Sequence, residues 1–246
     1  GGYWGGGNGS DMYATMERYN EHENIWGTNM QNIRNGKNAE GGLINGTPKA
    51  RNSLNYLIST TTAYVLQDTI LKKENSPYLI KEATSVPYGK KLTIEPGVVI
   101  KVMGGSSQYL NVEGELLAIG GESDPIVFTD FYDDEYGGDL NQDGAASLPN
   151  PGGWWRVLLG ERSSSTISYA KFRYGKEMVR AEATTTIVNS VFENSLIYGL
   201  ELINTNALVS GNIFQNNNFR RLYYPPPAGL KVHGPAKILN NSFLNN

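Results

Sequence analysis

Asp139, Asn141 and Asp143 are the residues best spaced to do chemistry, alternating ahead of a glycine in Asp139-Leu140-Asn141-Gln142-Asp143-Gly144. The spacing matches the D-x-[DN]-x-[DN]-G opening of a calcium loop. Alternate oxygen side chains can converge on one hard cation. The glycine permits the turn that brings a later carbonyl, here that of Ala145, into the same set. A full loop ends on a bidentate glutamate at its twelfth position, and Asn150 stands there. The missing oxygens must come from upstream, where Asp130, Asp133 and Asp134 are available. Carboxylates crowded in this way repel one another unless a cation joins them. The segment therefore predicts Ca2+ held by Asp133, Asp134, Asp139, Asn141, Asp143 and the Ala145 carbonyl. An all-oxygen set suits Ca2+ better than Mg2+, which demands tighter octahedral geometry and keeps more water. The expected role is to order a long loop, not to catalyse.

A second candidate set is aromatic. Trp154, Trp155 and Arg156 follow the acidic segment, and Tyr223 and Tyr224 precede Pro225, Pro226 and Pro227. Flat rings stack on sugar rings, Arg156 adds a charged donor, and the proline run lowers the entropy lost on binding. These five residues are the predicted polysaccharide contacts, with Trp154 also expected to pack the insertion onto the body. Tyr3, Trp4 and Trp26 are further aromatic candidates.

Catalytic patterns are sparse. Glycoside hydrolysis uses two carboxylates about 5 to 9.5 Å apart. From residue 160 onward the acids are Glu161, Glu177, Glu182, Glu193 and Glu201, with no Asp-Asp pair. Lys171, Lys176, Arg173 and Arg180 could serve a lyase as bases, but nothing in the spacing ties them to the acidic segment. His22 and His233 have no nucleophile or acid at motif spacing.

The elements that must carry these residues repeat. Segments 167–174, 187–194, 209–216 and 238–245 share one pattern that aligns Phe172, Phe192, Phe214 and Phe243 at steps of 20, 22 and 29. The last step is longer because residues 220–229 are inserted. A period near 20 with alternating apolar residues suits short stacked strands, since helical repeats run to about 33 residues or more. Stacking would pile the phenylalanines into an interior row. Asn189, Asn194, Asn212, Asn216, Asn240 and Asn245 flank them where turns should fall, because asparagine tolerates left-handed backbone angles. A β-sandwich with similar strands is the alternative.

Composition agrees. The 246 residues contain 29 glycines, 39% hydrophobic residues and no cysteine, so neither disulfides nor thiolate metal sites are possible. A net charge of −3 offers no basic face for nucleic acid. No apolar run reaches the roughly 18 residues of a membrane span. The chain opens without methionine or a signal-like apolar segment and closes inside a repeat, which leads us to expect a part of a larger polypeptide.

The middle of the chain carries a resemblance. Residues 76–102, with Leu92, Thr93, Ile94, Pro96, Gly97 and Val98, and residues 109–130 resemble successive coils of bacterial right-handed parallel β-helix repeat proteins, of the pectate-lyase-like solenoid superfamily. With the later repeats the resemblance covers roughly 64–246. It implies an all-β, right-handed parallel β-helix with an N-terminal capping segment over 1–63 and a calcium-binding insertion at 130–155. Similar proteins often carry an insertion like the one from Asp133 to Gly144. The resemblance says little about activity; the aromatics and the sparse catalytic patterns lead us to expect an extracellular or cell-surface, non-catalytic adhesion module, with a polysaccharide such as cellulose or another plant cell-wall glycan as partner. A polysaccharide lyase or hydrolase and a plain structural spacer are the competing expectations.

Overall fold

The computed structural model describes residues 55–56, 63–203, 205–217 and 228–246. The expected cap over 1–63 lies almost wholly outside them. Among the described residues the chain is all-β, its one helical piece being a 3-10 turn at Lys73–Asn75.

The strands come in rounds. The first round holds β1 (Asn55–Tyr56), β2 (Ala63–Tyr64) and β3 (Thr69–Leu71). The second holds β4 (Tyr78–Ile80), β5 (Thr84–Val86) and β6 (Lys91–Ile94). Then follow β7 (Val99–Val102), β8 (Gly105–Val112) and β9 (Glu115–Ile119). The next round is β10 (Ile126–Asp130), β11 (Trp154–Leu159) and β12 (Ser164–Ser168). After it come β13 (Ala170–Arg173), β14 (Glu177–Ala181) and β15 (Thr185–Val188). The late rounds are β16 (Val191–Glu193), β17 (Tyr198–Ile203) and β18 (Ala207–Ser210), then β19 (Ile213–Gln215), β20 (Ala228–His233) and β21 (Ala236–Leu239). A last strand, β22 (Ser242–Leu244), begins another round.

Every third strand pairs with the one three before it, always parallel. A first sheet of eight strands runs from β1 to β22, a second of seven from β2 to β20, and a third of seven from β3 to β21. A chain that visits three parallel sheets in rotation fits a parallel β-helix. Among the described residues pairing begins at Asn55, earlier than the boundary expected near residue 64.

Register is set by what points inward. In the first sheet Phe128, Phe172, Phe192, Phe214 and Phe243 are direct cross-strand partners. Their rings stack within 11° of parallel at 4.9 to 5.1 Å between centroids. The predicted row of four is therefore a row of five. Phe128 escapes the repeat pattern because the insertion separates it from Phe172. In the second sheet the inward column is Val86, Val112, Leu159, Ala181, Leu202 and Val232. In the third it is Ile94, Ala118, Ile167, Ile187, Val209 and Ile238. One hydrophobic cluster draws on all three columns. A one-residue slip would turn each column to water, so the apolar pattern fixes the pairing.

Turns are set by asparagine. Asn189, Asn194, Asn216, Asn240 and Asn245 all take left-handed angles, with φ from 51 to 60°. Asn212 does not; Gly211 holds the turn there, with φ 68°, and Asn212 does something else. Its Oδ1 accepts the Ser190 N–H at 2.9 Å, and its Nδ2 donates to the Ile187 carbonyl at 2.9 Å. Asn241 repeats this one round later, accepting from the Asn212 N–H at 2.8 Å. A second ladder does the same from Ser195 through Asn217 to Asn246. A buried amide satisfies both a donor and an acceptor of the neighbouring round, at sites where an unmet backbone group would cost about 1–3 kcal/mol.

Truncating Phe192, fully buried in mid-row, should cost about 3–5 kcal/mol in urea unfolding. Phe243→Ala should cost less than half as much, because that ring ends the row and is 51% exposed. Equal losses would mean that the row is not a continuous stack.

Candidate functional site

The acidic insertion, residues 131–153, leaves β10 and returns at β11. It lies against the body through two tight glycines. A β-carbon at Gly137 would fall 3.0 Å from Pro77 Cβ, and one at Gly152 would fall 2.7 Å from Leu196 Cδ2. Both have positive φ, 75 and 92°, a conformation that residues with side chains rarely adopt.

Three cations from the sheet beneath reach the insertion: Lys171 on β13 donates to the Tyr136 hydroxyl at 2.7 Å, and Lys101 and Arg173 meet its backbone and carboxylates. Lys101 on β7 is 0% exposed, and its ammonium donates to the Gly138 carbonyl at 2.5 Å and to that of Phe131 at 3.5 Å. Burial pulls its pKa below the usual lysine value, and the fields of Asp134, Asp133, Asp139 and Asp130 oppose the fall. Arg173 on β13 pairs with Asp133 at 3.1 Å, Glu135 at 2.8 Å and Glu193 at 2.7 Å. Tyr136 and Tyr174 lie 4.8 and 5.0 Å from its guanidinium carbon. From the sequence Arg173 is weighed only as a lyase base, and Lys101 is missed. A signal existed for Lys101, which interrupts the β-branched run Val98-Val99-Ile100-Lys101-Val102, since a lysine in such a run is seldom buried without partners.

These contacts redraw the predicted ligand set. Asp133 is 2% exposed, accepts the Thr129 hydroxyl and is ion-paired to Arg173, which takes it out of the metal set. Burial raises its pKa, with Thr129 and Arg173 acting against the rise. Asp130 likewise turns to backbone, accepting the N–H groups of Asn150 at 3.0 Å and Tyr132 at 3.4 Å. Asp134, Asp139 and Asp143 do come together, each offering a carboxylate oxygen within 4.8 Å of the others. Asp139 also accepts the Gln142 and Gly144 N–H groups at 2.6 and 2.9 Å, which shapes the turn. Asn141 presents its amide nitrogen to Asp143 at 2.9 Å and to Ser147 at 2.7 Å. The Oδ1 atoms of Asp134 and Asn141 are buried without a hydrogen-bond partner. Ala145 is exposed on the same turn.

The aromatic predictions fare differently. Trp154 is 0% exposed, and its indole N–H donates to the Arg173 carbonyl at 2.7 Å. Its neighbours Gly105, Arg173 and Gly175 all belong to the body, and at this burial it offers no face to a glycan. Trp155 is half-buried, with Tyr109 edge-on at 5.3 Å and the Arg156 guanidinium 4.1 Å over its ring. Arg156 is not a free donor, because it pairs with Glu177 at 2.7 Å. Its Nε and the indole N–H of Trp155 are nevertheless buried without a hydrogen-bond partner among the described residues. Tyr223, Tyr224, Tyr3, Trp4 and Trp26 lie outside the described residues.

The acids weighed for catalysis are also occupied. Glu193 meets Arg173 and accepts from Gln215 at 2.6 Å. Glu182 pairs with Arg180 at 2.7 Å, and Glu201 pairs with Arg180 at 3.4 Å and Lys231 at 2.8 Å.

No family model matches the chain, and no solved structure matches it. Among curated proteins, 63 residues, 26% of the chain, are 40% identical to Protein bark beetle of Drosophila melanogaster. The matched stretch spans 2% of that relative's length.

Arg173→Ala leaves Asp133 buried without its cation, a change that costs about 3–5 kcal/mol where a buried pair is broken. Limited proteolysis should then cut within 131–153. Glu135→Gln should have little effect, its side chain being 62% exposed. An insertion equally protected in both variants would mean that Arg173 does not hold it.

Proposed function

We propose that the three sheets close into a right-handed parallel β-helix of the pectate-lyase-like type, and that the chain is a non-catalytic adhesion module of a secreted or cell-surface protein with a polysaccharide as its ligand. The observation that carries this reading is the in-register repetition of outward side chains through successive rounds. A regular, laterally extended surface suits a regular polymer. The ion pairing of Glu182, Glu193 and Glu201 supports the non-catalytic part, since a glycosidase needs one carboxylic acid held protonated and a second carboxylate facing it.

We also infer a structural Ca2+ bound by Asp134, Asp139 and Asp143, with Asn141 and the Ala145 carbonyl as further oxygens. The unpartnered oxygens of Asp134 and Asn141 support this set, and Lys101 and Arg173 already neutralise the neck of the same loop. An ion there would order the outer half of the insertion.

Retention on insoluble cellulose, xylan, chitin and peptidoglycan tests the first proposal: the protein should be depleted from the supernatant by at least one of them. Recovery of all the protein in every supernatant overturns it. For the ion, added Ca2+ should raise the melting temperature by mass action, and Asp139→Asn with Asp143→Asn should abolish the rise. A melting temperature indifferent to both Ca2+ and chelator removes the site.

A further inference from the structure

The three sheets differ in what they turn outward. Over the first lies the insertion, seated on Lys101 and Arg173. Across the second run the ion pairs Arg156–Glu177, Arg180–Glu201 and Lys231–Glu201. The third sheet is uncharged through its middle rounds. One outward column there runs Thr93, Leu117, Thr166, Thr186 and Leu208, each directly opposite the next. The column beside it runs Ile119, Ser168, Val188 and Ser210. Charge returns only at the margins, in the Lys91–Glu115 pair at 3.0 Å and in Lys237 of the last round.

We propose that this face is where the polysaccharide docks and that the polymer is uncharged. The inference rests on the adhesion reading above and commits it to one surface and one ligand class. An acidic or basic polymer would lose hydration here and meet no opposite charge. A neutral sugar chain presents both C–H and O–H groups, and the columns answer with both. Leu117, Val188 and Leu208 offer apolar contact, while Thr166, Thr186 and Ser210 are half-buried hydroxyl residues whose side chains have no hydrogen-bond partner among the described residues.

Size decides against a protein partner, including a second copy. Four steps of about 4.8 Å by one column spacing of about 7 Å give a patch on the order of 300 Å2 with its margins, against the roughly 800 Å2 that each side of a stable protein interface buries. A polymer needs only a narrow track, and gains by touching several rounds at once.

The test uses the whole chain on microcrystalline cellulose and on insoluble pectate. Wild-type protein should be retained on cellulose in preference to pectate, and moderate salt should not release it, because no charges are involved. Thr166→Glu with Thr186→Lys sets an ion pair across the middle of the track, and Leu208→Glu alone sets one charge beside it. Each should weaken retention at least tenfold while leaving the urea midpoint close to that of the wild type. Wild-type binding by either variant that keeps its urea midpoint overturns the inference, as does preference for pectate or release by salt, and in these cases the adhesion reading survives. Self-association of the wild type that the variants abolish also overturns it, in favour of a second copy. Failure of the wild type to bind cellulose, pectate, xylan, chitin or peptidoglycan overturns the adhesion reading and this inference together.

Discussion

Parallel stacking in register is the constraint from which the rest of this structure follows. When each strand pairs with the one a full round earlier, residues at equivalent positions become direct neighbours, about 4.8 Å apart. Like then sits on like. Aromatic rings accept this arrangement, and five phenylalanines form one stack with near-parallel planes. Aliphatic side chains accept it too, in the inward columns of the other two sheets. Like charges do not, because cross-strand repulsion is destabilising. Where charge appears on the second sheet it alternates: Arg180 lies opposite Glu201, and Glu201 opposite Lys231.

The same constraint explains the asparagines. An amide carries both a donor and an acceptor, so a stack of amides is self-complementary in a way that a stack of carboxylates is not. Asn212 and Asn241 in one ladder, and Asn217 and Asn246 in another, each bond the backbone of the preceding round. A second group of asparagines takes the left-handed turn positions between strands. One residue type therefore does two jobs within a few positions of each other, and chain spacing alone does not separate them.

The insertion interrupts this order and is tied back into it. Its carboxylates would repel if left to themselves, and the sheet supplies Lys101 and Arg173 from strands two rounds apart. The protein's own cations thus serve the half of the loop nearest the sheet. Asp134, Asp139 and Asp143 form a separate, more open group beyond them. Splitting the acidic segment into a buried, ion-paired part and an outer oxygen-rich part is the main departure from a loop organised by one ion.

Much of the architecture was legible in the chain. The repeat of phenylalanine at steps near 20, the alternation of apolar residues and the turn asparagines all act locally or between adjacent rounds, so pattern alone determined an all-β stacked fold and the register of Phe172, Phe192, Phe214 and Phe243. The acidic motif likewise brought Asp139 and Asp143 together, because their spacing is a property of one turn. What the sequence could not determine is who meets whom across the insertion. Asp133 and Asp134 are adjacent in the chain, yet one turns to Arg173, 40 residues away, and the other to the oxygen cluster. Trp154 and Trp155 are adjacent too, and strand alternation buries the first completely while leaving the second between Tyr109 and Arg156. Those choices depend on which face of a strand is covered and on which charges lie beneath, and only the tertiary structure decides that.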